Sequence, residues 1–215
     1  MAYSLRLVED RLAPGANWPG ALSAVNRILY VAAGEVTVEA GADTHRLAPG
    51  QAWRGAGAVA GRAGDDGAHV LRFELVRQPA TAAHGRVVLE HPIALTGTAT
   101  WLLRCDRVDF EPGGVALPHR HRGGGIRRLL RGHLDVTVGE GTTRRIRPGE
   151  AWFESGREPV LAVASPEVET SFLRVSVLPA DIRGQSSIMY LDPADAARSK
   201  PRTYTVYIDE PIALR

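Results

Sequence analysis

Two histidines one residue apart, His119 and His121, are the residues in this sequence best suited to chemistry. Alternate residues of a β-strand point to the same side, so in a strand both imidazoles would face one point in space. Imidazole nitrogens bind transition metals such as iron, nickel, zinc and copper, and they exchange protons near neutral pH. The pair therefore predicts either a metal site or two hydrogen-bonding groups in a ligand pocket.

A catalytic metal usually has three protein ligands and one open position, so the histidine pair needs a third donor. The candidates are His133, which follows a glycine turn, and Glu154, which lies on a predicted strand over residues 151–154. Glu111 is a third candidate, on a predicted loop before the histidines. We expect a divalent transition metal (Fe, Ni, Zn or Cu) at partial occupancy on this set.

Five arginines surround the histidines between residues 120 and 131. In a regular strand Arg127 and Arg131 share one face, and an inward guanidinium offers a planar fork to a carboxylate or phosphate. A buried arginine without a partner is costly, so it would need an anionic ligand or a carboxylate such as Glu154. The alternative is that these arginines face solvent and reflect an arginine-rich composition.

An internal repeat suggests how these residues are positioned. Residues 47–53 (LAPGQAW) return as residues 146–152 (IRPGEAW), and residues 35–38 (EVTV) return as 135–138 (DVTV). Farther along, residues 70–76 (VLRFELV) resemble residues 171–177 (SFLRVSV). Because repeats of fixed length indicate repeated structural units, we infer two units of about 100 residues each.

Both units consist of short runs rich in β-branched residues, separated by glycine, proline and aspartate, which is typical of a sandwich or barrel. The spacing around the histidines then resembles the first motif of the cupin superfamily: glycine, five residues, H-x-H, three or four residues, glutamate, six residues, glycine. Gly113, His119, His121 and Gly132 stand in that register, and Gly149 matches the glycine that begins the second motif.

The resemblance covers roughly residues 20–180 and implies an all-β bicupin, that is, two tandem cupin barrels of the double-stranded β-helix or jelly-roll type. It implies an N-terminal barrel over residues 1–95 that lacks metal ligands, a C-terminal barrel over 96–180 that carries the H-x-H motif, and a C-terminal strand extension over 181–215.

Two of the four ligand positions of the family hold no ligand here. Gly125, or Ile126 with the longer spacing, stands where the family has glutamate, and the later histidine should fall near Pro159. The matching stretch of the first unit, residues 14–30, contains no histidine. We therefore expect the first barrel to be structural and to build a dimer.

These observations favour a protein that binds a small anionic metabolite in the C-terminal barrel through Arg127 and Arg131, with or without a metal on His119 and His121. One alternative is a metal-dependent dioxygenase, lyase or isomerase acting on a small carboxylate. Another is a non-catalytic sensor or a scaffolding dimer whose metal site has decayed. The fold cannot choose among them, because cupins host many functions.

Composition narrows the partners and the compartment. Lysine occurs once, so 25 of the 26 basic residues are arginine, and 24 acidic residues nearly balance them. This balance argues against a nucleic-acid surface. A single cysteine, no apolar run long enough for a membrane helix and no signal-like start favour a soluble cytoplasmic protein. The β-run at 203–208 lies beyond both repeats and needs an edge to pair with, either that of a barrel or that of a partner subunit, and we expect a homodimer.

Overall fold

The structure is a computed structural model that describes residues 2–80, 83–95, 99–198 and 201–214. The chain divides into two compact units, Met1–Thr98 with Ala213–Arg215 and Ala99–Ile212, called here the first and second units. The expected boundary at 95/96 lies three residues before the observed one. The expected boundary at 180/181 separates no compact units, because the chain up to Ile212 belongs to the second unit. Within the described ranges, no helix is long and apolar enough to cross a membrane.

The first unit is one antiparallel sheet. Its strands are β1 (Tyr3–Leu12), β2 (Asn26–Ala40), β3 (Asp43–Leu47), β4 (Ala52–Gly55), β5 (Ala60–Arg77) and β6 (Arg86–Ile93). They follow the order β3-β2-β5-β1-β6, and β4 also pairs with β2. The long strands β2 and β5 change register where they pair, which lets the sheet bend around its own core.

The second unit is built from two antiparallel sheets. Its strands are β7 (Trp101–Phe110), β8 (Val115–His121), β9 (Gly124–Arg131), β10 (Leu134–Val138), β11 (Arg144–Ile146), β12 (Ala151–Glu154), β13 (Val160–Ala164), β14 (Thr170–Pro179), β15 (Ile188–Tyr190) and β16 (Arg202–Ile212). The order β11-β10-β13-β8-β15 forms the histidine sheet, and the order β12-β9-β14-β7-β16 forms the arginine sheet. Two short 3-10 turns lie at Ala180–Ile182 and Pro193–Ala197.

Alternating side chains from the two sheets form the core of the second unit. On β10, Leu134 and Val136 are buried whereas Asp135 and Thr137 are only partly so, which is the period-two pattern of a strand with one buried face. The core residues from both sheets include Val108, Phe110, Leu129, Phe172, Leu134, Ile146, Val160 and Ala162. The expected all-β architecture of two sandwich-like units is confirmed.

The strand pairings correct the alignment of the internal repeat. Leu47 and Ile146 begin the matching segments 47–53 and 146–152 of the repeat. Val36 pairs with Leu47, and Leu134 pairs with Ile146, so Val36 corresponds to Leu134 rather than to Val136. The sequence match was therefore two residues out of register. A slip of two residues keeps every side chain on its own face of the sheet, so the pattern of apolar residues does not reveal it.

The C-terminal run pairs within its own unit. Strand β16 lies antiparallel to β7 from the Arg202–Phe110 pair to the Ile212–Trp101 pair, and β15 pairs with β8. Both sheets of the second unit are thus extended by the C-terminal segment, which pairs with a barrel of its own chain, the first of the two expected alternatives. The homodimer stays a prediction, and the tail no longer supports it.

Apolar residues occupy the part of the first unit that corresponds to the histidine strand. In the second unit β8 pairs with β13 at His119 and Val160, whereas in the first unit Leu22 pairs with Val59. Trp18 donates its backbone N–H to Gly61, and a side chain at Gly61 would overlap the Trp18 ring. In the described part of the first unit, an indole ring thus fills the space that corresponds to the histidine pair.

We predict that Trp18→Ala lowers the free energy of unfolding of the first unit by about 3–5 kcal/mol, since it removes a buried indole and leaves a cavity. Trp53→Ala is the matched control, because Trp53 packs against the same core but is only partly buried. Denaturant unfolding followed by circular dichroism measures both. Equal losses in the two variants would contradict the assigned packing.

Candidate functional site

Strand β8 brings His119 and His121 to the same face, as their spacing predicted. Both are buried, and Arg120 between them is exposed. The two imidazole rings lie 4.8 Å apart between centroids and stand nearly perpendicular to each other. Pairing with β13 on one side and β15 on the other holds the strand in place.

The hydrogen bonds of His119 leave one ring nitrogen open. Nδ1 lies 2.6 Å from the carbonyl oxygen of Leu117, which can only accept, so we assign the proton to Nδ1. Burial lowers the pKa of His119, so the ring is neutral at pH 7 and Nε2 carries a lone pair. This nitrogen can accept a hydrogen bond or bind a metal.

Both nitrogens of His121 have polar neighbours. Nε2 lies 3.4 Å from Oε2 of Glu154, and Nδ1 lies 3.3 Å from the hydroxyl oxygen of Ser187. Burial lowers the pKa of His121 to about 3, against the opposing effect of Glu154. The ring is therefore neutral, and it donates from Nε2 to the carboxylate and accepts from the serine hydroxyl.

An ion pair between Glu154 and Arg127 lies beside the histidines. Nη2 of Arg127 is 2.7 Å from Oε2 of Glu154, and the indole N–H of Trp152 donates to Oε1 at 2.8 Å. Burial would raise the pKa of Glu154, but the charge of Arg127 holds it well below its usual range. Burial lowers the pKa of Arg127 to about 10, so both groups are charged at pH 7.

The donor capacity of Arg127 is not used up by this ion pair. Nη1 donates to the carbonyl oxygen of Gly125 at 2.6 Å. Nη2 is buried and is held by the ion pair with Glu154 alone, without an aligned hydrogen bond to the described residues. Because Nη2 carries two N–H groups and a buried N–H that stays unbonded costs about 1–3 kcal/mol, this atom favours a further acceptor in the site.

These side chains line a small cavity between the two sheets, called here the inner cavity, with room of about 30 Å³ for the centres of water molecules. Its polar lining residues are His119, His121, Arg127, Glu154, Arg174, Arg202 and Tyr204. Apolar core residues such as Phe110, Trp152 and Phe172 complete the wall. The cavity is thus a polar chamber inside an apolar core, the usual setting of a binding site.

Two of these arginines were missed by sequence reasoning. Arg174 on β14 donates to Asp106 through Nε at 2.9 Å and Nη2 at 2.6 Å. Burial would lower the pKa of Arg174, but the charge of Asp106 raises it above its ordinary value. Arg174 pairs with Arg127 across β14 and β9, and Arg72 pairs with Leu29 across the corresponding strands β5 and β2 of the first unit. Arg72 is therefore the counterpart of Arg174, so a correct alignment of the repeat would have indicated a buried arginine at this position.

Arg202 enters the inner cavity from β16, the strand outside the repeats. It donates to the hydroxyls of Tyr204 and Tyr190 at 2.6 and 2.9 Å and to the carbonyl of Val115 at 3.2 Å. No carboxylate among the described residues pairs with it. Its position depends on a pairing across about 90 residues of chain, and local patterns carry no signal for such a pairing.

Three expected site residues lie outside the inner cavity. Strand β9 has a bulge before Arg131, so its alternation is broken and Arg131 turns to the surface, where it pairs with Glu169. His133 lies partly exposed in the turn after β9 and does not line the inner cavity. Glu111, the loop candidate, is exposed. Of the expected residues, the structure brings together His119, His121, Arg127 and Glu154.

The glutamate position of the family motif is closed by packing. A side chain at Gly125 would place its Cβ 2.5 Å from the carbonyl oxygen of Val175 and 2.5 Å from the hydroxyl of Ser176. Gly125 pairs directly across strands with Glu154, so the neighbouring strand supplies a carboxylate instead.

The donor set does not fit a divalent metal as it stands. Among the described residues, no three His, Cys, Asp or Glu side chains are arranged to hold one ion. Glu154, the one described carboxylate that lines the inner cavity beside the histidines, is already bound by a buried guanidinium, whose positive charge would repel a second cation close by. The guanidinium of Arg127 thus neutralises Glu154, as a bound metal ion would otherwise do.

We predict that acid destabilises the second unit largely through its histidines. The folded-state pKa of His121 is about 3, below its ordinary value of 6.5. Between these two pH values the unfolded chain therefore binds a proton at His121 and the folded chain does not. The stability that this difference confers is complete above pH 6.5 and is lost as the pH falls toward 3. His119 acts in the same direction, and Glu154 adds to the loss below its ordinary pKa of 4.5.

Melting temperatures measured between pH 7.5 and pH 5 test this, with His121→Gln expected to flatten the profile and His119→Gln/His121→Gln to flatten it further. His133→Gln is the control and should keep the wild-type slope. A slope unchanged in the double variant would contradict the assignment.

Comparison with solved structures finds the same fold at low sequence identity. Oxalate decarboxylase of Lactobacillus farciminis, solved as a formate complex, gives a TM-score of 0.66 at 15% identity, covering 92% of this chain and 82% of that chain. A mutant of salicylate 1,2-dioxygenase from Pseudoaminobacter salicylatoxidans gives 0.57 at 14%, covering 94% and 74%. A cupin 2 conserved barrel domain protein from Leptotrichia buccalis gives 0.50 at 16%, covering 80% and 88%.

No protein-family model and no curated protein matches the sequence. At such identities the likeness concerns the fold and not the activity. The expectation drawn from the H-x-H spacing and the repeat is confirmed at that level: the chain has the cupin fold, in two tandem units.

Proposed function

We propose that the second unit binds a small carboxylate in the inner cavity, with Arg127 supplying the cation that recognises it. The observation that carries this proposal is Nη2 of Arg127, a buried donor at the cavity that lies 2.7 Å from Oε2 of Glu154 but makes no aligned hydrogen bond to it or to any other described acceptor. A carboxylate oxygen would provide one, and a charge-assisted bond to guanidinium is among the stronger hydrogen bonds in proteins.

The balance of charge around the inner cavity supports an anionic ligand. In the part of the chain that the structure describes, Arg127, Arg174 and Arg202 face two carboxylates, Glu154 and Asp106, so one positive charge remains when the histidines are neutral. A buried net charge is costly in a low-dielectric interior, and an anion would neutralise it.

The first unit shows that arginine excess alone does not make a site. There Arg6, Arg27 and Arg72 surround Glu74, and Arg72 also bonds Asp10. None of these guanidinium nitrogens belongs to the described buried atoms that lack a hydrogen bond. This network around Glu74 is thus closed, whereas Nη2 of Arg127 in the second unit makes no aligned hydrogen bond.

His119 adds a second recognition element. Its Nε2 lone pair faces no protein donor among the described residues and would accept a hydrogen bond from a hydroxyl group or a bound water beside the carboxylate. The ligand would therefore accept from Arg127 and donate, directly or through water, to His119. The formate bound in the oxalate decarboxylase structure named above is a carboxylate in a protein of this fold.

A metal-dependent enzyme is the second candidate, favoured by a single distance. Two atoms that each lie roughly 2.0–2.1 Å from a tetrahedral zinc are about 3.3–3.4 Å apart, and Nε2 of His121 lies 3.4 Å from Oε2 of Glu154. The residues that would hold the metal are His119, His121 and Glu154. They would do so only if Arg127 released Glu154.

We predict that formate and acetate stabilise the wild-type protein by mass action and that Arg127→Met abolishes this effect. Arg131→Met is the matched control, because Arg131 lies at the surface, and it should respond like the wild type. Thermal shifts and NMR titrations against sodium chloride at equal ionic strength measure binding. Because Arg127→Met leaves Glu154 buried without a partner, Arg127→Met/Glu154→Gln keeps the test valid if the single variant unfolds. An equal response of the wild type and both Arg127 variants would overturn the proposal.

We predict further that Arg127 excludes metal. The sequence predicted partial occupancy, but the ion pair leads us to expect only traces of transition metal in wild-type protein purified without a histidine tag. In Arg127→Met the freed Glu154 should join the histidines, so Co²⁺ or Zn²⁺ should raise the melting temperature and His119→Ala/His121→Ala should reverse this. Elemental analysis at pH 7 or above is required, because protonated histidines do not bind metal. A full equivalent of metal in the wild type would favour the enzyme instead.

A further inference from the structure

A larger cavity, called here the outer pocket, lies beside the inner cavity at the C-terminal strands. It has room of about 690 Å³, compared with about 30 Å³ for the inner cavity. Strands β7, β14, β15 and β16 and the segment 184–187 form its walls. Arg174, Ile188 and Tyr204 line both spaces, so the two meet at these three side chains.

The difference in size divides a ligand into two parts. A volume of 30 Å³ for water centres holds about two water molecules, which is the space of one carboxylate group. The outer pocket falls within the roughly 300–1,000 Å³ typical of small-molecule sites. A ligand larger than acetate whose carboxylate reaches Arg127 would therefore place the rest of its body in the outer pocket.

The lining of the outer pocket indicates what that body is. Its charged side chains are already paired: Arg104 with Asp209 at 2.8 Å and Arg174 with Asp106 at 2.6 Å. They leave no net charge to attract a second ionic group.

The apolar lining of the outer pocket includes two unusually exposed side chains. Tyr204 and Val206 are 40% and 55% exposed, and Ile188 and Tyr190 of β15 line the same pocket. Such surface favours an uncharged, apolar ligand body.

We infer that the second unit takes a monocarboxylic acid with an apolar alkyl or aryl body, its carboxylate in the inner cavity and its body in the outer pocket. This inference rests on the proposed function, because the inner cavity must first accept a carboxylate. The outer pocket would then set the specificity, since each buried methylene adds about 0.8 kcal/mol, or roughly a fourfold gain in affinity.

Isothermal titration and NMR with the series acetate, butyrate, hexanoate and octanoate test the inference. We expect affinity to rise about tenfold or more for each added pair of methylenes until the outer pocket is filled, as the apolar area predicts. Hexanamide, which keeps the body and loses the charge, should bind at least tenfold more weakly than hexanoate. Arg127→Met/Glu154→Gln should weaken the whole series.

A variant that fills only the outer pocket separates this inference from the proposed function. Val206→Trp should leave acetate binding unchanged and remove the gain from chain length. Val168→Trp is the matched control, because Val168 is 50% exposed and lines neither space. It should retain the full gain.

The outcomes are distinct. Binding of acetate without any gain along the series would overturn the inference and leave the proposed function standing, as would a gain that Val206→Trp does not reduce. Failure of every carboxylate to bind would overturn both. A steep series that flattens only in Val206→Trp would support both.

Discussion

The second unit depends on a row of buried charges across the arginine sheet. Arg127 and Arg174 face each other on neighbouring strands, and each has a carboxylate on its other side, Glu154 for the first and Asp106 for the second. Two adjacent guanidinium groups repel, so neither could stay in a dry core without its carboxylate. Breaking a buried ion pair of this kind costs about 3–5 kcal/mol, because it leaves an uncompensated charge. The histidines and Trp152 are arranged around this row.

The same row explains why the site differs from the metal centre that its histidine spacing suggests. Gly125 cannot carry the glutamate of the family motif, since its Cβ position is blocked by the neighbouring strand. A carboxylate is present on the adjacent strand, but Arg127 neutralises it. The inner cavity thus contains a carboxylate, two imidazoles and a cation, and that cation is the side chain of Arg127.

The two units use related folds to opposite ends. In the first unit, Arg27, Arg72 and Glu74 form a closed network of ion pairs. Trp18 and Leu22 occupy the space that corresponds to the histidine strand of the second unit. In the second, the β8 segment carries histidines, and β16 brings Arg202 and Tyr204 to the chamber. The segment outside the repeats therefore supplies much of what makes the second unit a candidate site.

The sequence by itself determined the all-β architecture and four of the polar residues that line the inner cavity, namely His119, His121, Arg127 and Glu154. Short β-rich runs and the repeat sufficed for two β-units, and period-two alternation correctly placed His119 and His121 on one face. Alternation failed at Arg131, because a bulge shifts the face of every later residue, and it misaligned the repeat, because a slip of two residues preserves the pattern. Only the tertiary structure decided that Arg127 binds Glu154, that β16 pairs with β7 and that Arg202 enters the chamber. Those contacts join residues that are far apart in the chain. Local sequence patterns fit several such strand and ion pairings equally well, and burial and charge balance in the folded chain decide which of them form.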